Sequence, residues 1–310
     1  MKNIYFIGEC MIELRATVPS TLHQSFAGDV YNSAVYLKRC FAEIETSVVT
    51  ALGEDNLSKK MRERFVSEQL NTQFVFSHNT KVPGMYYIET DDEGERSFIY
   101  WRDDSAAKKV VEFMSEDIVK QLSTGDMFFF SGISLAVIEN QARPQFWEIV
   151  KQLKAAGVKI VFDPNYRARL WDSVEQTKQQ YDTAFSLCDI TLPGVEDLET
   201  LYNVKSVEAV IEYLTPYNID EIVVKNGPDS VITKEGQTLQ SHSITPVKNV
   251  VDTTSAGDAF NGVYLGARLD GRTISDAVKL GAKAAGTVIQ QPGAIAPKDV
   301  FQQAMAQTGL

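Results

Sequence analysis

Cysteine is scarce in this 310-residue chain: three residues, Cys10, Cys40 and Cys188, far apart and odd in number. A disulfide framework needs paired cysteines, so this pattern fits reduced thiols. Histidine is as sparse. His23, His78 and His242 lie far apart in sequence and show no metal-ligand spacing, so no side-chain metal site is expected. Positive charge is also in deficit, with 30 Lys and Arg against 41 Asp and Glu and a net charge of -11. Nucleic acids and anionic membranes are bound mainly by basic residues meeting phosphate, so neither is an expected partner. A few local arginines could still hold a small anion inside an acidic protein. Long apolar runs are missing as well. "MFFFSGISLAVI" (127–138) falls well short of the about 20 residues that cross a bilayer. At the start, Glu9 cuts the apolar stretch of "MKNIYFIGECMIEL" too early for a signal peptide. The expected location is the cytoplasm. With no internal repeat and no Pro/Ser-rich linker, residues 1–310 are expected to form a single domain.

What the chain does contain is 44% hydrophobic and 23% charged residues, the usual mix for a soluble globular protein. Short apolar runs ended by Gly, Pro or Asp read as strands: 3–9, 47–53, 127–133, 159–165, 188–193 and 221–227. Between them lie amphipathic helical patterns at 31–41, 56–69, 144–157, 207–218 and 274–290. Fully apolar strands alternating with such helices predict an α/β fold, a mostly parallel sheet covered on both faces. One stretch departs from the alternation. "GMYYIETDDEGERSFIYWR" (84–102) reads as a β-hairpin turning at Asp91–Gly94. It is either an edge hairpin with a buried aromatic face or a lid over a ligand site.

The run "NVVDTTSAGDAFNGVYLGARL" (249–269) is expected to pass from a strand, "NVV", into a helix that is well formed from Ala259. Ser255, Ala256 and Gly257 then form the turn at the helix N-terminus. Amides there lack intrahelical partners and carry the positive end of the helix dipole, which suits an anion. Gly257 has no Cβ to keep a phosphate away. Asp258 sits in the first turn. It is either an N-terminal helix acid or a general base for a hydroxyl attacking phosphorus, and local composition does not choose.

"DTTSAGDAFNG" resembles the C-terminal signature of the ribokinase-like (PfkB) family of sugar kinases. "FAGDVYNSAVYLKR" (26–39) is similar to that family's sugar-binding segment, with Ala27 replacing a Gly. The runs at 51–61, 162–171 and 223–232 match in order, so the resemblance spans nearly the whole chain. It implies a ribokinase-like fold with a small β-sheet lid formed mainly by about 10–27 and 81–104, with ATP and Mg²⁺ as cofactors. It also implies roles. Asp258 would be the catalytic base, in a phosphate-receiving loop of Ser255, Ala256, Gly257 and Asp258. Asn165, Arg167, Lys225, Gly227 and Ser230 would bind the nucleotide, Ser230 replacing a common Gly. Gly28, Asp29 and Asn32 would hold the sugar. Glu196 matches a family element tied to magnesium and phosphate effects, although Pro193 replaces its Asn.

The lid runs "VPGMYYIETD" (82–91) and "GERSFIYWR" (94–102), with "GECMIEL" (8–14), resemble the branch of the family that phosphorylates the 6-hydroxyl of 2-keto-3-deoxygluconate. There Tyr86, Tyr100 and Arg102 would contact a sugar acid, and Arg102, with Arg167, could pair its carboxylate. Alternatively Arg102 pairs with Glu95, Asp103 or Asp104 on the surface. A kinase for a neutral ketose such as fructose and a non-catalytic nucleotide-binding regulator are the rival readings; the retained Asp258 counts against the second. Exposed aromatic faces on the lid predict pairing with a second subunit, as a homodimer or higher homo-oligomer.

Overall fold

The structure, a computed structural model, describes residues 1–18, 21–90 and 96–309. Its strands in chain order are β1 (Asn3–Ile7), β2 (Met11–Val18), β3 (Thr21–Ala27), β4 (Glu45–Leu52), β5 (Val75–Ser77), β6 (Met85–Thr90) and β7 (Arg96–Trp101). They continue as β8 (Met127–Ser131), β9 (Lys159–Asp163), β10 (Ile190–Thr191), β11 (Glu221–Asn226), β12 (Ser230–Glu235) and β13 (Thr238–Ser243). Nine of them form one sheet in the order β13-β12-β11-β10-β9-β8-β1-β4-β5. It is parallel from β5 to β11, and antiparallel where β12 and β13 close its far edge.

The apolar strands split their side chains between two cores, because successive residues point to opposite faces. Phe6, Phe129, Val161 and Val223 join the core under the helices Asp29–Cys40, Ala256–Leu269, Ile274–Val288 and Lys298–Ala306. Tyr5, Phe128, Phe130, Phe162 and Val224 join the core under Arg143–Ala155, Val174–Leu187, Val195–Tyr202 and Val207–Leu214. Burying each such side chain contributes about 1.5–3 kcal/mol, so a charge on either face would be costly. That is why these strands read as unbroken apolar runs.

A second sheet, in the order β3-β2-β6-β7, stands apart from the first. Strands β6 and β7 pair antiparallel from Met85↔Trp101 to Thr90↔Arg96. The turn expected at Asp91–Gly94 lies outside the described residues.

One packing contact positions the site. A Cβ on Gly262 would stand 2.1 Å from the Ser33 carbonyl oxygen. The helices Asp29–Cys40 and Ala256–Leu269 therefore meet backbone to backbone, and their N-terminal turns lie side by side.

Several sequence expectations need correction. No strand forms at 249–251. Val250 and Val251 are exposed, and the amides of Val251 and Asp252 donate to the Ile289 carbonyl at 2.8 and 3.1 Å. The end of a helix satisfies the backbone that a sheet edge was expected to satisfy. The helix that follows begins at Ala256, three residues before Ala259. The strand expected over 188–193 shrinks to Ile190–Thr191, since Pro193 has no N–H for a ladder. Its carbonyl instead accepts from the Lys225 amide at 2.8 Å. Among the described residues no helix is long and apolar enough to cross a membrane.

Candidate active site

Open α/β sheets present their functional groups beyond the carboxyl ends of the strands. Here β1 leads to Glu9, β8 ends at Ser131, and β9 ends at Asp163 with Asn165 just beyond. Two helix N-termini face the same region. Asp29 opens one, and Asp258 falls in the first turn of the other. Two non-glycine residues here adopt left-handed backbone, Asn165 with φ 33° and Ser255 with φ 66°. Such strain persists only where surrounding contacts enforce it, and it concentrates at functional sites.

A polar network joins the two N-termini. Asn32 donates its Nδ2 to Asp258 Oδ2 at 2.8 Å, and its Oδ1 accepts the Gly28 amide at 3.3 Å. Asp29 Oδ2 accepts from Ser131 Oγ at 2.5 Å and from Asn165 Nδ2 at 3.1 Å. Burial pushes the Asp258 carboxyl up to about 7, the Asp29 charge adds to this, and the Asn32 hydrogen bond opposes it. Burial likewise raises Asp29, against the hydrogen bond from Ser131 and with the added repulsion of Asp163. A carboxylate poised near neutrality suits proton abstraction.

Between this network and the small sheet lies a cavity of about 100 Å³. Gly28 and Asp29 line it from below, Tyr100 and Arg102 from β7 and its end, and Arg167 and Arg169 from the loop after β9. A Cβ at Gly28 would stand 2.2 Å from the Glu9 carbonyl oxygen, so only glycine fits there.

The expected sugar residues are brought together unevenly. Tyr100 and Arg102 reach the cavity. Tyr86 stacks on Tyr100 with ring centroids 5.6 Å apart, but its hydroxyl donates to Glu13 Oε2 at 2.5 Å. Arg102 is buried and ion-paired with Glu9, not with Asp103 or Asp104, and Asp104 takes Lys81. Glu95 lies outside the described residues.

On the other side of Asp258, Lys225 Nζ donates to Asn261 Oδ1 at 3.0 Å and lies 3.5 Å from Asp163 Oδ1. Asn261 in turn donates to Asp163 Oδ2 at 2.8 Å. The atom nearest a would-be Cβ of Gly257 is Lys225 Nζ, at 3.8 Å. The Ala256 amide donates to the Thr253 carbonyl at 3.3 Å, so the first-turn amides of Gly257 and Asp258, an unobstructed glycine and an ammonium group make the donor set that fits a nucleotide phosphate. Gly227, with φ 54°, and Ser230 lie at the turn from β11 into β12, just beyond Lys225. Among the described residues, no three His, Cys, Asp or Glu side chains converge to hold a metal ion.

Four residues of this cluster were not singled out from the sequence. Asp163 ends an apolar strand, which was the available signal. Asn261 follows Asp258 by three positions and so shares its helix face. Asp197, not the exposed Glu196, turns inward. Its Oδ1 accepts the Tyr166 amide at 2.8 Å, and burial, then Asp163, raises its carboxyl to about 6. Arg169 carried no signal, since the fold of the loop after β9 brings it to the cavity beside Arg167.

The description "pfkB family carbohydrate kinase" matches residues 1–300. The 2-dehydro-3-deoxygluconokinase of Dickeya dadantii (strain 3937) is 39% identical over 306 residues, covering 97% of this chain and 98% of that protein. Its namesake from Escherichia coli (strain K12) is also 39% identical, covering 97% and 99%. In three dimensions, an E. coli protein of ribokinase type, crystallised with ATP and Mg²⁺, superposes with a TM-score of 0.85. It is 19% identical, with 99% of this chain and 100% of that one covered. The ribokinase-like fold expected from the sequence is the fold found.

Proposed function

The chain belongs to the pfkB family of carbohydrate kinases, and from that premise we propose that it phosphorylates 2-keto-3-deoxygluconate with ATP. The products are 2-keto-3-deoxy-6-phosphogluconate and ADP. The observation that carries the reading is the continuity of the site. One network runs from Gly28 on the cavity wall, through Asn32, to Asp258 in the first helical turn, with Asp29 next to Gly28 on the same wall. The relatives of 39% identity, covering nearly the whole chain, support the choice of substrate.

In this reading the sugar acid lies in the cavity with its 6-hydroxyl toward Asp258. Asp258 accepts the hydroxyl proton as the oxygen bonds to the γ-phosphorus, and the bond to the β-phosphate oxygen breaks to release ADP. The amides of the Ser255–Asp258 turn stabilise the charge spreading over the phosphoryl oxygens. Lys225 is held by Asn261 and Asp163 where it can face the same phosphates. Mg²⁺ supplies further charge neutralisation. With no protein cage among the described residues, it would be carried mainly by the phosphates and water, with Asp163 or Asp197 within the neighbourhood.

The Glu9–Arg102 pair favours one rival specifically. A cavity arginine already neutralised by a buried carboxylate would also suit a neutral ketose. An ADP-release assay across 2-keto-3-deoxygluconate, gluconate, fructose and ribose separates the two. The sugar acid is expected to give the highest kcat/KM, and a preference for fructose would overturn the reading. The exposed Phe98, Ile99 and Trp101 of β7 would be covered by a second copy, giving a dimer that sedimentation velocity detects.

A further inference from the structure

Three arginines line the cavity, and they are not electrically equivalent. Arg102 is buried against Glu9, so its charge is compensated before any ligand arrives. Arg167 donates to the Tyr166 carbonyl at 2.9 Å and lies 3.9 Å from Asp197, on the side of Lys225 and Asp163. Arg169 has no carboxylate partner among the described residues. Its guanidinium carbon lies over the Tyr100 ring, 3.7 Å from the centroid.

We propose that Arg169 is the specificity-determining residue that pairs the substrate carboxylate. This inference rests on the sugar-acid reading and names the group that enforces it. The cavity wall also carries Glu9 and Asp29. Arg102 pairs Glu9, Arg167 lies toward Asp197 behind the wall, and Asp29 is held by Ser131 and Asn165. Arg169 is therefore the wall arginine with no carboxylate set against it among the described residues. Contact with the Tyr100 face holds the guanidinium at the cavity, where its planar fork can pair a carboxylate bidentately. Arg169 is exposed and still hydrated, so an entering anion meets a cation that has not been committed elsewhere. The same contact ties the loop after β9 to the small sheet, so a ligand on Arg169 would touch both halves of the site.

The test is steady-state kinetics of Arg169→Gln and Arg169→Lys against the parent, on 2-keto-3-deoxygluconate and on fructose, at low and high salt. Losing one charge-assisted pair is expected to raise KM for the sugar acid about tenfold or more, while kcat and the KM for ATP stay near parental values. The salt dependence of that KM should flatten in the Gln variant. Arg169→Lys should recover part of the loss, because it keeps the charge without the planar fork. Any fructose turnover should keep its KM. An unchanged KM for the sugar acid, or an equal rise for both sugars, overturns the assignment. A parallel rise in the KM for ATP overturns it too, by making Arg169 a nucleotide residue. If the parent itself prefers fructose, the sugar-acid reading falls first and takes this inference with it. If the parent prefers the sugar acid and Arg169→Gln behaves like the parent, the inference alone falls.

Discussion

Two buried Arg–Glu pairs, Arg39–Glu68 and Arg102–Glu9, have the same chemistry and opposite finish. Arg39 gives Glu68 two hydrogen bonds, Nε to Oε2 at 2.9 Å and Nη2 to Oε1 at 2.8 Å, and its Nη1 donates to the Ala296 carbonyl at 2.7 Å. Arg64 adds a further contact to Glu68 at 2.8 Å. The pair is closed. Arg102 Nη2 meets Glu9 Oε2 in a single contact, and Glu9 Oε1 has no hydrogen-bond partner among the described residues. A buried polar atom without a partner costs about 1–3 kcal/mol, and native proteins keep few of them. The closed pair clamps the helix Asp29–Cys40 to its surroundings, whereas the unfinished pair sits on the wall of a cavity. The first pair is tied on three sides, and the second by one contact.

The largest expected effect comes from the acid that the unfinished region serves. Asp258→Asn should lower kcat by about 10²–10⁴-fold, whereas Glu68→Gln should leave kcat near the parental value; a pre-steady-state assay would show both. Next is stability. Breaking one partner of a buried pair costs about 3–5 kcal/mol, so Glu68→Gln should lower the urea midpoint strongly. Glu9→Gln should lower it less, because Glu9 holds one arginine where Glu68 holds two, and should also shift the KM for the sugar substrate. Equal stability losses with unchanged KM would erase the distinction between the two pairs.

The smallest effect is in pH, where the two regions should have opposite signs. Burial pushes Glu68 up, but the hydrogen bonds and charge of Arg39 outweigh it and hold its carboxyl below the ordinary value. Its stabilisation is therefore present above the usual carboxylate range and lost as pH falls through its lowered value. Asp258 is raised to about 7, so the fold favours its protonated form. That contribution is full at low pH and lost as pH rises from the ordinary carboxylate range through about 7. Asp258→Asn should accordingly raise Tm relative to the parent at pH 8 and change it little at pH 4. The parental kcat/KM should climb through pH 7 as Asp258 deprotonates.

Much of the architecture was legible. Continuous apolar strands between amphipathic helices specified a mostly parallel sheet, because both faces must be covered. The antiparallel edge of β12 and β13 was not, since β13 is almost wholly exposed and carries no hydrophobic pattern to read. The 249–251 strand failed for the converse reason. Val250 and Val251 have strand-like chemistry, but the chain there finds its hydrogen bonds on the Ile289 carbonyl.

By itself the sequence determined the fold class and the family, and with them the run from Ser255 to Asp258, because an acid and a glycine at a helix start have local causes. Only the tertiary structure decided which arginines carry usable charge. Arg102, Arg167 and Arg169 are chemically identical in the chain. Their difference arises from what the fold sets against each: Glu9 from the first strand's end, Asp197 from a distant helix, and the face of Tyr100. Coulomb interactions depend on distance in space, and no spacing along the sequence encodes those three distances.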